Sequence, residues 1–313
     1  MLAAFPAMAQ RGPHSGDRFT VAGMNITVVY RTAEAAAHRD EVQQVLGGGL
    51  RRYEALFGGL PRRPGGFFTR EIVVDIGSSE LGEGDADPGI IRLTIGRRPY
   101  FGFYDWRLTL LHEAFHLWNA ESFRYASGAE QWFNEGASEF YALQTASLLG
   151  LIPPDRVLSI AGTVAGFYAS ARGLGRYSLR EAGETPERKR DHYFLVYHGG
   201  WLAVLVLDHD LRRRSGNLQS LDDVMRRLYR LHDARDRLYD VADLEEAMRL
   251  TSGGDYQAFF NRYIRGREQM PYAHRFDLGA HAMALSAQLT GLRPRVELDE
   301  YLLASFGIRL QQR

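Results

Sequence analysis

The residues most able to do chemistry lie in the stretch LLHEAFHLWN (110–119), where two histidines four positions apart enclose a glutamate. Positions i and i+4 of an α-helix project from nearly the same face, so His112 and His116 can present two imidazoles to one metal ion. The alternative is an amphipathic helix with two ordinary histidines and a surface glutamate. The pentapeptide alone does not exclude that alternative.

A third candidate ligand follows in the segment QWFNEGASEF (131–140). Catalytic zinc sites usually have three protein ligands and one open position. The chain contains no cysteine, so the third ligand must be a histidine or a carboxylate. Glu135 lies nineteen residues beyond His116, a spacing that lets a second, antiparallel helix return its carboxylate to the histidines. We therefore predict a zinc site at His112, His116 and Glu135.

Glu113 has a different predicted role. It is rotated by about 100° from His112 around the helix axis, so it is a poor ligand for the same ion. A carboxylate in that place can take a proton from an attacking water and pass it to a leaving amine. Zinc lowers the pKa of its bound water and polarises a scissile carbonyl. The pattern predicts hydrolysis with Glu113 as the general base.

The whole pattern, H-E-x-x-H followed after eighteen residues by N-E-G, is similar to that of the gluzincin metallopeptidases, the clan of thermolysin and aminopeptidase N. The string HEAFHLWN (112–119) more particularly resembles the glycyl aminopeptidase family. Four further segments match that family: YHGGWLAVLVLDHDLRRRSG (197–216), SLDDVMRRLY (220–229), FFNRYIRGREQMPY (259–272) and LDEYLLASFGIRL (298–310). The resemblance covers about residues 70–313 and implies a zinc peptidase acting on peptides or proteins. The family often continues into a PDZ module, which this sequence does not include.

The resemblance also implies an oxyanion donor. Tyr197, three residues before Gly200, matches the Y-x-x-G tyrosine that stabilises the tetrahedral oxyanion in the clan. Tyr193, one helical turn earlier, is a second candidate. The lysine that usually precedes the motif glycine is replaced here by Gly199. A core aromatic with a satisfied hydroxyl is the alternative role for either tyrosine.

Three further residues are candidates for supporting the ligands. Glu139, four residues beyond Glu135, occupies the place of a carboxylate that orients a ligand histidine in thermolysin-type enzymes; the alternative is a surface role. Asn134 and Asn119 flank the site and are expected to fix the local backbone geometry. Ligand histidines usually donate their second N–H to such groups.

One departure leaves the cleavage mode open. Aminopeptidases of the clan carry a G-x-x-E-[NH] strand motif whose glutamate holds the substrate's α-amino group. The corresponding segment of this chain is expected at DPGIIRLTIG (87–96), which has no glutamate. Aminopeptidase-like and internal cleavage therefore both stay open. Two other hypotheses are a zinc-bearing, non-catalytic binding or sensor module of the cell envelope, and hydrolysis of a non-peptide amide or epoxide.

The elements that position these residues are predicted from periodicity and from turn residues. Strands are predicted at 24–32, 70–77 and 90–96, with a loop at 78–89. Helices are predicted at 33–58 (with or without an interruption at 47–49), 106–119, 129–149, 154–172, 193–214 and 220–231. The predicted class is α+β, a small N-terminal mixed α/β part with a sheet followed by a mainly α-helical C-terminal part, with the zinc site between them. The predicted divisions are a residual signal peptide or disordered N-terminus (1–20), an α/β zinc-peptidase subdomain (21–150) and a helical subdomain (151–313).

Composition excludes some functions. The 313 residues include 38 basic and 38 acidic side chains, whereas a nucleic-acid-binding protein would show a basic stripe. No segment reaches the ~18 apolar residues of a membrane span. The stretch MLAAFPAMAQ (1–10), with Ala7-Met8-Ala9, is typical of the end of a signal peptide and predicts export to the periplasm or the medium. The alternative is a frayed apolar terminus on a cytoplasmic protein.

Overall fold

The computed structural model describes residues 14–63, 65–98, 105–232, 237–270 and 296–309. Within these residues the strands are β1 (His14–Val21), β2 (Met24–Tyr30), β3 (Glu71–Leu81), β4 (Glu83–Asp87) and β5 (Ile90–Arg98). The helices are α1 (Ala33–Ala36), α2 (Arg39–Phe57), α3 (Trp106–Asn119), α4 (Gln131–Leu148), α5 (Pro154–Ala169), α6 (Leu179–Gly183), α7 (Pro186–Asp191), α8 (Tyr193–Ser215), α9 (Leu221–Leu231), α10 (Val241–Ser252), α11 (Gln257–Phe259, continued by a π-helical turn to Ile264) and α12 (Val296–Phe306).

The strands form one sheet in the order β1-β2-β3-β5-β4. The three central strands β2, β3 and β5 are parallel, and β1 and β4 pair antiparallel at the two edges. Alternate residues of β2 are buried, as expected for a sheet covered on one face by helices. Helix α3 contacts both β4 and β5, so one end of the sheet is brought against the helix that carries the histidines.

The predicted loop at 78–89 is wrong. β3 runs on to Leu81, and β4 follows after one residue as an antiparallel edge strand. The segment SSELGEGDADPG has few β-branched residues, and its glycines and acids are typical of loops. Pairing with β5, from Glu83 opposite Thr94 to Asp87 opposite Ile90, overrides that local preference.

The N-terminal segment is only partly described. Residues 1–13, including the predicted signal-peptide end, lie outside the described residues. β1 begins at His14, within residues 1–20, for which a residual signal peptide or a disordered N-terminus was expected. The boundary between the two subdomains near residue 150 stays a prediction.

The first long helix is uninterrupted, which settles the alternative left open at 47–49. α2 is continuous through Gly47–Gly49, although glycine weakens helices by about 1 kcal/mol per residue. The glycines allow close packing: a Cβ at Gly48 would lie 2.7 Å from Leu149 Cδ1, and one at Gly49 would lie 2.5 Å from Leu111 Cδ2. Leu111 belongs to α3, so this contact helps to seat the histidine-bearing helix.

The rest of the described chain is helical, so the α+β prediction is confirmed. Predicted helices at 106–119, 193–214 and 220–231 agree with α3, α8 and α9 to within one residue. Helix α12 packs its Phe306 against Phe140 of α4, with ring centroids 5.6 Å apart. Among the described residues no helix is both long and apolar enough to cross a membrane.

Candidate metal centre

Helix α3 is fixed at both ends and along its apolar face. Asp105 caps its N-terminus by accepting a hydrogen bond from the Arg107 backbone N–H at 2.9 Å, which satisfies one of the free amides of the first turn. Trp118 stacks on Phe57 of α2 with centroids 5.7 Å apart, and its indole N–H donates to the Gly59 carbonyl at 2.9 Å. The histidines therefore project from a rigid, buried helix.

Helix α4 is held against α8 by two glycines. A Cβ on Gly136 would lie 2.3 Å from the Gly200 carbonyl carbon, and one on Gly200 would lie 2.0 Å from the Trp132 carbonyl oxygen. Only glycine permits backbones this close. The glycines of the N-E-G and Y-x-x-G motifs thus meet each other, and their contact sets α4, with Glu135, against α8, with Tyr197.

The three predicted ligands lie together. His112 Nε2 and His116 Nε2 are 2.9 Å apart, and Glu135 Oε2 lies 3.2 Å from the first and 3.4 Å from the second. Ligand atoms about 2.0–2.1 Å from a tetrahedral ion are ~3.4 Å from one another. All three side chains are buried. Two imidazole nitrogens and one carboxylate oxygen at these separations fit a divalent metal.

The electrostatics of the group favour positive charge between the ligands. Burial by itself would raise the pKa of Glu135, but Lys189 and His116 hold that pKa well below its usual value. Burial opposes protonation of His116, yet Glu135 and Glu113 together raise the pKa of the ring. The site therefore favours a positive charge at the position that a bound metal ion would occupy.

Lys189, the only lysine in the chain, was missed as a functional residue by the sequence analysis. It comes from α7, and its Nζ donates to Glu135 Oε1 at 2.6 Å and to Gln131 Oε1 at 3.0 Å. The Nζ atom also lies 5.1 Å from the ring centroid of Tyr197. Its uniqueness was the one sequence signal that could have singled it out.

A polar network orients His116. Its Nδ1 lies 3.0 Å from Asn119 Oδ1 and 3.3 Å from Ser138 Oγ. Asn119 Nδ2 in turn donates to the Asn134 carbonyl at 2.9 Å and to Ser138 Oγ at 3.0 Å. The predicted supporting residue Asn134 thus acts here through its backbone, while its side chain lies 3.4 Å from Glu135 Oε1. Ser138 was not predicted, although it lies one helical turn beyond Asn134.

Glu139 is buried, which excludes the surface alternative. Its Oε2 lies 3.1 Å from His198 Nδ1, so its carboxylate meets a histidine of α8, whereas Asn119 occupies the Nδ1 side of His116. Helix α4 therefore contributes two buried glutamates: Glu135, which lies beside the two histidines of α3, and Glu139, which contacts α8.

Glu113 lines the same cleft as the ligands. Burial raises its pKa, against the lowering effect of the neighbouring histidines. The edge strand touches it closely: a Cβ on Gly84 would lie 2.7 Å from Glu113 Oε1. A buried carboxylate with a raised pKa beside the predicted ligands is suited to proton transfer.

Both tyrosine candidates lie at the site. Tyr197 stacks nearly parallel to His112 with ring centroids 6.4 Å apart, and Tyr193 stacks on Tyr197 at 4.0 Å. Both line the cleft. The hydroxyl roles predicted for them stay predictions.

The cleft that contains the ligands has a volume of about 790 Å³. One wall is β4, not β5, because β4 is the sheet edge beside α3. The expectation that segment 87–96 would face the substrate is therefore wrong. Residues of β4 line the cleft in its place, and β4 contains acids. Glu83 and Asp85 both line the cleft, although Arg92 donates to Asp85 Oδ2 at 2.7 Å.

Solved structures share this architecture. An aminopeptidase N family protein from Idiomarina loihiensis superposes with a TM-score of 0.70 and 17% identity, covering 82% of this chain and 47% of that one. The fold is that of the matching part of this aminopeptidase N family protein. An M1 zinc metallopeptidase from Deinococcus radiodurans gives 0.57 and 17%, covering 83% and 52%, and a point mutant of it gives 0.58 and 13%. The expected likeness to the aminopeptidase N clan is confirmed.

The similarity covers only part of each of these solved structures. The chain spans about half the length of these solved structures. No family model and no curated protein sequence matches the chain. The arrangement of the metal group and cleft is therefore what bears on function.

Proposed function

We propose that this protein is a zinc-dependent peptidase that hydrolyses peptide bonds by attack of water. The observation that carries the proposal is the close approach of His112 Nε2, His116 Nε2 and Glu135 Oε2, within 3.4 Å of one another, in a cleft that also contains Glu113. Zinc held by these side chains would supply a Lewis acid that lowers the pKa of water and polarises a carbonyl group.

The chain's own residues divide the remaining work. Glu113 takes a proton from the attacking water and passes it to the leaving amine. The hydroxyl of Tyr197 donates to the oxyanion that forms on the substrate carbonyl. Lys189 keeps Glu135 ionised and occupies Oε1, so that Oε2 faces the two histidines.

The cleft favours an extended peptide with a free amino terminus. β4 presents an unpaired strand edge to the cleft, and extended peptides bind such edges by backbone hydrogen bonds. Glu83 is an exposed carboxylate on that edge, which supports aminopeptidase-like cleavage by attracting a substrate ammonium group. Internal cleavage is the alternative. Export of the protein is also proposed, on the sequence of residues 1–10 alone.

Two variants and a chelator test the proposal. Purified wild-type protein should bind one zinc and release peptides from a mixed peptide pool, and a chelator should abolish the release. Glu113→Gln should retain zinc, while its rate of hydrolysis should fall by at least about 100-fold. His116→Ala should lose both zinc and activity. A wild-type protein that binds zinc but cleaves no peptide would instead support a non-catalytic binding module. Full activity of Glu113→Gln would exclude the assigned base.

A further inference from the structure

A second cationic side chain, Arg124, lies in the wall of the cleft. It belongs to the segment between α3 and α4, whose backbone is firmly held. The Tyr239 N–H donates to the Arg124 carbonyl at 2.9 Å, and the Ala126 N–H donates to the Tyr239 carbonyl at 2.8 Å. Tyr125 and Leu238 line the cleft beside it. Arg124 is therefore a fixed part of the site.

Among the described residues, the guanidinium of Arg124 has no hydrogen-bond or ion-pair partner. Its Nε is buried and has no hydrogen-bond partner in the part of the chain that the structure describes. Within those residues the side chain also forms no ion pair shorter than 4 Å. A buried, unpaired polar atom costs free energy. The half-buried Arg124 side chain lines the cleft, where a ligand can meet its guanidinium.

The other cations near the cleft are already engaged. Lys189 donates to Glu135, and Arg92 is shared between Asp85 and Asp87 at 2.7 and 2.8 Å. Glu121, three residues before Arg124, also lines the cleft. Burial raises the pKa of Glu121, with Arg124 acting in the opposite sense. Among the described residues, no ion pair shorter than 4 Å competes with an incoming anion for Arg124.

We propose that Arg124 is an anion subsite that binds a carboxylate of the peptide substrate. The inference rests on the proposed peptidase function and adds a substrate class to it. A guanidinium offers two parallel N–H donors that match the two oxygens of a carboxylate. Two carboxylates of a peptide have this chemistry, the C-terminal group and the side chain of Asp or Glu, and the experiment separates them.

The test measures peptide binding in the full-length, zinc-loaded Glu113→Gln protein, in which hydrolysis is blocked. Four tripeptides are titrated by calorimetry: Ala-Ala-Glu, Ala-Ala-Gln and the C-terminal amide of each. We expect at least one carboxylate to tighten binding by about 10- to 100-fold. Comparison of acid with amide identifies the C-terminal group, and comparison of Glu with Gln identifies the side chain.

Adding Arg124→Gln should abolish the preference for the carboxylate and leave binding of Ala-Ala-Gln amide unchanged. Arg190→Gln, an exposed arginine on α7 outside the cleft, is the matched control and should retain the preference. If Arg124→Gln does not fold, Arg124→Lys, which keeps the charge without the fork, should show an intermediate preference. The proposal is overturned if the parent shows no carboxylate preference or if the preference survives in Arg124→Gln. Failure of the peptidase function would appear separately, as absence of cleavage by the wild-type protein.

Discussion

The ammonium of Lys189 lies 2.6 Å from Glu135 Oε1, while Oε2 of the same carboxylate lies 3.2 Å from His112 Nε2. One carboxylate thus joins the lysine of α7 to the histidine group of α3. Mutation of a group that orients a metal ligand in this way often lowers the metal affinity by about 10- to 100-fold. The relationship leads directly to the first prediction.

Replacement of Lys189 should weaken zinc binding. Lys189→Met removes the partner of Glu135 Oε1 and the charge that lowers the pKa of Glu135, so zinc affinity should fall by about 10- to 100-fold. Competition with a chromophoric chelator measures the affinity directly. Lys189→Arg keeps the charge and should recover most of the loss. Unchanged affinity in Lys189→Met would exclude this role for the ion pair.

Removal of the Tyr197 hydroxyl should slow hydrolysis without loss of metal. Tyr197→Phe retains the ring stacked on His112, so the fold and zinc content should be preserved while kcat falls by about 10- to 1,000-fold. Steady-state kinetics on a peptide that the wild type cleaves provides the measurement. Tyr193→Phe is the matched control, expected to have a small effect. The reverse pattern would assign the oxyanion role to Tyr193.

The edge strand should not tolerate a side chain at Gly84. A Cβ there would lie 2.7 Å from Glu113 Oε1 and 2.6 Å from Thr109 Cγ2, and the carboxylate is the part best able to move. Gly84→Ala should therefore lower kcat by roughly 10- to 100-fold through displacement of the base, with zinc content unchanged. Gly82→Ala, whose nearest contact would be 3.3 Å, serves as the comparison. Equal rates for both variants would contradict the prediction.

The glycine contact between α4 and α8 should be essential for stability. Gly136→Ala places a Cβ 2.3 Å from backbone that cannot move aside, so the free energy of unfolding should fall by about 3 kcal/mol or more. Gly166→Ala in α5, whose Cβ would meet nothing within 4 Å, should instead gain about 0.5–1 kcal/mol. Urea denaturation measures both values. A stable Gly136→Ala protein would show that the two helices can separate.

His209 should make stability depend on pH. Burial lowers its pKa to about 4 in the folded protein, against about 6.5 in an unfolded chain. Between these values the unfolded chain binds a proton that the folded protein does not, so stability decreases as pH falls from 6.5 to 4. Relative to His209→Gln, the wild type should lose about 2 kcal/mol more between pH 7 and pH 5. Equal losses in urea titrations at the two pH values would show that His209 is not buried uncharged.

The sequence predicted what local rules determine. The period of α3 and the spacing from His116 to Glu135 were sufficient to predict the histidine-bearing helix and the group that the structure brings together. It could not predict contacts made across long distances. Lys189 reaches Glu135 over 54 residues, and no short-range pattern links the two. β4 was missed because its residues prefer loops and only pairing with β5 makes them a strand.

The backbone contact of Gly136 with Gly200 has a consequence for protein engineering. Because the two helices meet without intervening side chains, the Glu135 carboxylate and the Tyr197 hydroxyl cannot be adjusted independently by mutation at that crossing. Libraries intended to alter selectivity are better directed at β4 and at residues 120–127, which form cleft walls outside the crossing.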